Sequence, residues 1–218
     1  MTENIEIEGR AGGPVMTVSY RLLDRPSGAW ALVDPTFEIL STCRDWFARA
    51  APRAILITHG HFDHIAGLAD VLRRFPGTAI WTHPDCAPML EDPMLNGAAL
   101  FGFPYEPCRA THLWREGDVF ELGQIPLRVV EAPGHCPGSV VLLAEGKLIA
   151  GDVLFRGGVG RWDLPGADYA TLARTIREKI MTLPDETIVY PGHGPTTTIG
   201  QERRTNAIVR EMLAGASA

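Results

Sequence analysis

Lysine is nearly absent from this chain. Lys147 and Lys179 are the only two, and 20 basic side chains stand against 26 acidic ones for a net charge of −6. Scattered arginines on a surface of that sign give no face that neutralises a phosphate backbone, so nucleic acid is excluded as a partner. Long apolar runs are missing as well. No stretch approaches the roughly 20 apolar residues that span a bilayer, and the opening "MTENIEIEGRAGG" lacks the basic and apolar regions of a secretory leader. The expectation is a soluble, cytoplasmic protein with no membrane partner. Cysteine is sparse: Cys43, Cys86, Cys108 and Cys136 form no CxxC pair. That excludes a disulfide framework and a zinc ribbon, and leaves reduced thiols.

What the chain does have is 218 residues, 45% of them hydrophobic, enough for a well-buried core in a single domain over 1–218. Apolar periodicity predicts strands at "VMTVSYRLL" and "GAWALVD", joined by a turn at Arg25-Pro26-Ser27-Gly28. A helix follows over "FEILSTCRDWFARA" and a strand over "RAILIT". "HIAGLADVLRRF" reads as a helix stopped by Pro76 and Gly77. The second half gives strands at "PLRVVEAP", "SVVLLAE", "KLIAGD" and "ETIVY", with helices over "YATLARTIREKIMTL" and "GQERRTNAIVREML". Alternation in two blocks favours sheets covered by helices, with the chemistry at loops beyond strand ends. The stretch from Asp92 to Thr111, rich in Pro, Gly and aromatics, fits neither period and reads either as a lid over a pocket or as an irregular packed connection.

The dense feature is "LITHGHFDHIAG", Leu56 to Gly67, which holds three of the seven histidines and an aspartate within six positions. His59, His61, Asp63 and His64 offer imidazole nitrogen and carboxylate oxygen, the donor mixture that suits zinc, iron or manganese. In an extended segment His59, His61 and Asp63 point one way. A full shell from one short loop is cramped, so further donors are expected elsewhere. His135 in "APGHCPG", Asp152 in "IAGDVLF" and His193 in "YPGHGPT" each follow an apolar strand, where turns can aim a side chain at a shared site. A lone histidine after a strand is more often a satisfied core or surface residue. Together with the cluster, however, these three complete seven donors, enough for two ions with room for solvent. Asp63 as a helix cap and Asp152 as a turn residue are the competing structural roles. His83 and His112 lack such company and are read as non-ligands, and Cys136 as a packing residue.

Thr58-His59-Gly60-His61-Phe62-Asp63-His64 with the later His135, Asp152 and His193 resembles the metallo-β-lactamase superfamily over nearly the whole chain. The resemblance implies an α/β fold, an αββα sandwich of two mixed β-sheets flanked by helices. It implies His59, His61 and His135 on one metal, Asp63, His64 and His193 on a second, and Asp152 between them. Two divalent ions per chain follow, zinc first, with iron or manganese as the other candidates. "GDVLFRGGVGRWDLPGAD" and "YPGHGPTTTIGQERRTN" resemble the short bacterial relatives of glyoxalase II, the hydroxyacylglutathione hydrolase. That implies thioester hydrolysis by a metal-bridging hydroxide, with Asp63 relaying the proton, and a small acyl-thiol substrate, possibly glutathione-derived.

The long glyoxalase II enzymes carry a C-terminal helical region that holds part of the glutathione, and the expectation here is a single domain without one. The stretch that grips glutathione in that family appears as Gly160-Arg161-Trp162-Asp163, with Asp163 in place of a tyrosine. Arg161 and Trp162 are therefore the candidate substrate contacts, with Arg161 paired to Asp163 as the competing role. Two other readings stand beside the hydrolase. Persulfide dioxygenases of the same superfamily share the cluster and a similar GRxD stretch, and use one iron at the positions of His59, His135 and Asp152. A metal-stabilised binding domain without catalysis is the third.

Overall fold

The computed structural model describes residues 4–215. Its first sheet holds six strands in chain order: β1 (Ile5–Gly12), β2 (Thr17–Asp24), β3 (Trp30–Val33), β4 (Ala54–Leu56), β5 (Ala79–Thr82) and β6 (His112–Leu113). The first three pair antiparallel and the rest parallel. Parallel neighbours need crossovers. Helix α1 (Ile39–Thr42) lies between β3 and β4, α2 (Phe62–Ile65) and α3 (Leu68–Arg74) between β4 and β5, and α4 (Ala98–Phe101) before β6.

The second sheet is built from β7 (Val119–Leu122), β8 (Ile125–Glu131), β9 (Val140–Ala144) and β10 (Lys147–Gly151), all antiparallel neighbours. A small hairpin of β11 (Leu154–Phe155) and β12 (Gly158–Val159) stands apart. Then α5 (Tyr169–Thr175), extended by a wider π-turn over Ile176–Ile180, carries the chain to β13 (Ile188–Pro191), parallel to β10. Strand β14 (Thr197–Thr198) and helices α6 (Ile199–Thr205) and α7 (Ala207–Ala214) close the described chain.

Three apolar layers explain why the sheets stack. Leu22, Val33 and Leu56 of the first sheet meet Leu122, Leu127 and Leu142 of the second in the middle layer. Leu32 and Ile55 face the other way, under Ile39, Ile65 and Leu68. On the far side Leu148 and Val189 lie beneath Leu172, Ile176 and Val209. Strands buried on both faces read as continuous apolar runs, as "AWALV" and "AILI" do. The result is the αββα sandwich of two mixed sheets flanked by helices.

Several expected elements are shorter than their periodicity. The helix predicted over "FEILSTCRDWFARA" is one turn, Ile39–Thr42, followed by tight turns such as Trp46 N–H to Cys43 O at 2.9 Å. Burying Cys43, Trp46 and Phe47 together against the sheet outweighs helical continuity. The closing helix breaks at Asn206, whose side chain accepts from Val209 N–H and donates to Gly158 O and Glu202 Oε2. Strands β1, β5 and β7, and the two-residue strands β11, β12 and β14, lie where no strand was expected. The Asp92–Thr111 stretch is neither a free lid nor only a connection. Its second half packs into the outer core through Tyr105 and Cys108, and its first half walls a cavity. All four cysteines are free and buried, and no helix among the described residues is long and apolar enough to cross a membrane.

Candidate metal centre

The donors converge from five places at one end of the sandwich. His59 and His61 follow β4, and Asp63 and His64 sit in α2. His135 lies between β8 and β9, Asp152 directly after β10, and His193 just past Gly192, which follows β13. The alternation argument that put His59, His61 and Asp63 on one side fails beyond His61, because helix α2 starts at Phe62. Asp63 instead turns toward His64 and His193. Donor atoms of His59, His61 and His135 lie within 4.8 Å of one another, and so do those of Asp63, His64 and His193. Asp152 touches both groups: its oxygens are 3.6 Å from His135 Nε2, 3.3 Å from His64 Nε2 and 3.4 Å from His193 Nε2.

The far sides of four of the five rings, those of His59, His64, His135 and His193, are held, which fixes which nitrogen faces inward. His135 Nδ1 donates to Arg161 O at 2.8 Å and His193 Nδ1 to Val15 O at 3.1 Å. His64 Nδ1 donates to Asp34 Oδ2 at 2.9 Å, and His59 Nδ1 lies 3.1 Å from Thr58 Oγ1, which itself donates to Asp34 Oδ2 at 2.6 Å. One buried carboxylate thus sets the tautomers of two rings. Asp34 also belongs to a third donor group, with His59 and His64. Its oxygens, however, are engaged by the Thr58 amide and hydroxyl and by His64, so it acts as a positioning residue. Neither Asp34 nor Thr17, which donates to Asp63 Oδ2 at 2.5 Å, was singled out from the sequence. Asp34 carried the same signal as Asp152, an aspartate closing an apolar strand.

Inward, the polar atoms have little to bind. His59 Nε2, His64 Nε2 and Asp152 Oδ1 are buried with no hydrogen-bond partner among the described residues. Orphaned buried groups of this kind cost about 1–3 kcal/mol each unless something satisfies them. His61 Nδ1 and His135 Nε2 face each other at 2.9 Å, a contact between two ring nitrogens that needs a shared proton or a cation nearby. Burial pushes His59 well below the ordinary imidazole value and lowers His61 and His135 too. Burial also works against a proton on His64 and His193. There the carboxylates of Asp63 and Asp152 outweigh it, raising His64 well above its usual value and His193 to about 9. Bare lone pairs on one side and unbalanced negative charge on the other are the electrostatics of a cation site. Nitrogen and carboxylate donors fit zinc, iron or manganese, so the residues present suit a divalent pair.

Glycines let the loops come this close. A Cβ on Gly192 would overlap Asp152 Oδ1 and lie 2.7 Å from His64 Cε1, and one on Gly160 would overlap the Asp152 carbonyl. The remaining candidates are placed as follows. Arg161 lines the cavity above the donors and forms a two-point pair with Asp163 at 2.8 Å, while Trp162 stands outside that lining and packs edge-on to Tyr169. His83 bonds Glu131 at 2.9 Å and His112 stacks on Trp81, both away from the donors. Cys136 is buried against Met89.

The family model described as the metallo-beta-lactamase superfamily matches residues 12–193. An uncharacterised protein of Aquifex aeolicus is 35% identical, over 93% of this chain and 96% of its own length. The hydroxyacylglutathione hydrolase GloC of Haemophilus influenzae is 39% identical, over 71% of this chain and 74% of its own. Among solved structures, the BLEG-1 B3 metallo-beta-lactamase superposes with a TM-score of 0.87 at 37% identity, covering 94% of this chain and 99% of that one. TTHA1623 in a di-iron-bound form gives 0.81 at 34%, covering 92% and 98%. ETHE1 from Myxococcus xanthus gives 0.76 at 26%, covering 95% and 88%.

Proposed function

Because the chain belongs to the metallo-beta-lactamase superfamily, we propose that its donor cluster serves a hydrolase that cleaves thioesters with two divalent ions. The observation that carries the reading is the pairing of two complete donor triads through Asp152, with inward atoms that nothing else satisfies. His59, His61 and His135 would hold one ion and Asp63, His64 and His193 the other, with Asp152 in contact with both sets. Such a pair supplies a water acidified toward neutrality and positive charge for a developing oxyanion.

The chain's own residues do the rest. Thr17 holds the Asp63 carboxylate at the cavity floor, where it relays the proton of the attacking water toward the departing sulfur. Arg161 O and Val15 O keep His135 and His193 aimed inward. No serine or cysteine nucleophile is needed, and every cysteine is buried. Zinc is the first candidate and iron the second, with support from the di-iron form of TTHA1623. The acyl-thiol substrate follows the resemblance to GloC.

A second reading is the oxidation of a persulfide at one iron held by His59, His135 and Asp152. Its support is the Gly160-Arg161-Trp162-Asp163 stretch and the likeness to ETHE1. Elemental mass spectrometry on protein purified without added metal or chelator separates the two. Close to two ions per chain, with turnover of a thioester panel, supports the hydrolase. One iron with oxygen uptake on a persulfide overturns it, as does turnover confined to a β-lactam.

A further inference from the structure

Above the donor floor lies a cavity of about 320 Å³, at the small end of the roughly 300–1,000 Å³ typical of ligand pockets. Its wall is apolar and continuous with the floor. Phe62 stacks on Phe103 at 4.9 Å and meets Phe101 at 5.7 Å, while Phe155 sits edge-on to His193 at 5.9 Å. Leu100, Leu164 and Met94 complete it, and Met94 and Leu100 are 67% and 61% exposed. Apart from the donors, the polar side chains lining this space are Arg161 and Asn96, and both are engaged. Arg161 is paired with Asp163 in an exposed contact. Asn96 is buried, donating to Met89 O and accepting from Ala98 N–H. A glutathione moiety brings two carboxylates, an ammonium group and two peptide units. This lining offers them one cation that is already paired.

We propose that the substrate presents an apolar group to the wall of Phe62, Leu100, Phe101, Phe103, Phe155 and Leu164. The group lies next to the scissile bond, in a substrate that is an apolar thioester rather than a hydroxyacylglutathione. The proposal rests on the thioester reading. Its step is a hydrolysis. The oxygen of water bonds to the carbonyl carbon and the C–S bond breaks with its electron pair on sulfur. The protons of water are shared between acid and thiol, so no oxidant or reductant is involved. The apolar group belongs either to the acyl side or to the thiol side, and the wall recognises the same chemistry in both.

The test uses the metal-loaded protein and two series. One is the acetyl, butyryl and hexanoyl thioesters of N-acetylcysteamine. The other is acetyl thioesters of ethanethiol, butanethiol and hexanethiol, with lactoylglutathione as the polar reference. Burying a methylene is worth up to about fourfold, and a half-open wall recovers part of that. The value of kcat/KM therefore rises about 10- to 100-fold from shortest to longest on one side, and that series identifies the side. The double variant Leu100→Asn/Phe101→Ser flattens the slope by cutting the long substrates more than the short. Flat series on both sides, or lactoylglutathione as the best substrate, overturns the proposal.

Calorimetric binding of uncleavable S-methyl and S-hexyl thioethers of N-acetylcysteamine gives a readout independent of turnover. If no thioester reacts, the hydrolase reading fails, while tighter hexyl binding that the double variant abolishes still supports the apolar wall. A protein that is dimeric until Leu100→Asn/Phe101→Ser is introduced, with unchanged chain-length slopes, makes the patch a subunit contact and also overturns the proposal.

Discussion

Asp34 gives the sharpest test of how the centre is held, because it touches no substrate. Its side chain is buried, and it accepts from the Thr58 amide at 2.8 Å, the Thr58 hydroxyl at 2.6 Å and His64 Nδ1 at 2.9 Å. Asparagine is the informative replacement. Asp34 has φ 47°, in the left-handed region that asparagine tolerates and alanine does not, so Asp34→Asn leaves the backbone unstrained. An amide offers one accepting oxygen, and its NH2 must face a donor that the carboxylate satisfied. At least one buried donor is then left unpaired, at about 1–3 kcal/mol, and a hydrogen bond to a charged group is lost, at about 1.5–3 kcal/mol. The sum is near 3 kcal/mol or somewhat above, which in a protein of this size lowers Tm by about 6–12 °C.

The same change frees the His64 ring and, through Thr58, the His59 ring. Orienting partners of this kind are worth about 10- to 100-fold in metal affinity. The assay is competition with a graded chelator, followed by elemental analysis and a thermal melt of apo and loaded protein. Asp34→Asn with wild-type affinity for both ions would show that the Asp34 contacts orient nothing, and the tautomer argument would fail with it.

Three further outcomes follow from the same geometry. Asp152→Ala removes the carboxylate shared by both triads and is expected to lose at least one ion per chain and most turnover; full metal content with normal rates contradicts the assignment. Gly192→Ala sets a methyl group onto Asp152 Oδ1. It should destabilise by about 1–3 kcal/mol and lower metal affinity, read by melts and chelator competition, whereas an unchanged affinity means that the loop yields without cost. Burial pushes the Cys43 and Cys136 thiols up to about 12 and Cys108 to about 11. Their neutral forms favour the fold below an unfolded thiol value near 8.5, and that contribution is lost as pH rises toward 11–12. Ellman's reagent at pH 8 is therefore expected to label all four thiols only after denaturant is added. Labelling within minutes in the native protein refutes the burial argument.

Much of the centre was legible because its donors sit where strands end. His135, Asp152 and His193 each follow an apolar run, the two histidines are bracketed by Pro and Gly, and the folded protein brings all three to His59, His61, Asp63 and His64. The division of the donors into two sets was not legible from spacing. It depends on helix α2 starting at Phe62, a tertiary outcome that alternation in an extended loop does not foresee. Strand β1 was passed over because an edge strand shows only a short alternation, Ile5 and Ile7 against Glu6 and Glu8, with little burial to enforce it. The helix expected over "FEILSTCRDWFARA" is shorter because the spacing of Ile39, Cys43, Trp46 and Phe47 suits a helix and a packed turn equally.

The Asp92–Thr111 stretch shows why the wall of the cavity was harder to read than its floor. Metal donors announce themselves by residue type, since neutral imidazoles and carboxylates have few other reasons to gather. Apolar residues have the core as their default destination, and Leu100 or Phe101 in sequence is indistinguishable from Leu90 or Tyr105 a few residues away. Only packing separates them: Leu90 and Tyr105 close against the outer core, while Leu100 and Phe101 remain exposed beside Phe62 and the donor floor. Exposing that surface is unfavourable by about 25 cal/mol per Å². A fold that leaves it open above the polar donors recovers the cost when an apolar group attached to the reacting bond covers it. The floor sets the reaction class and the wall sets what reacts, and the two were encoded by residues of opposite legibility.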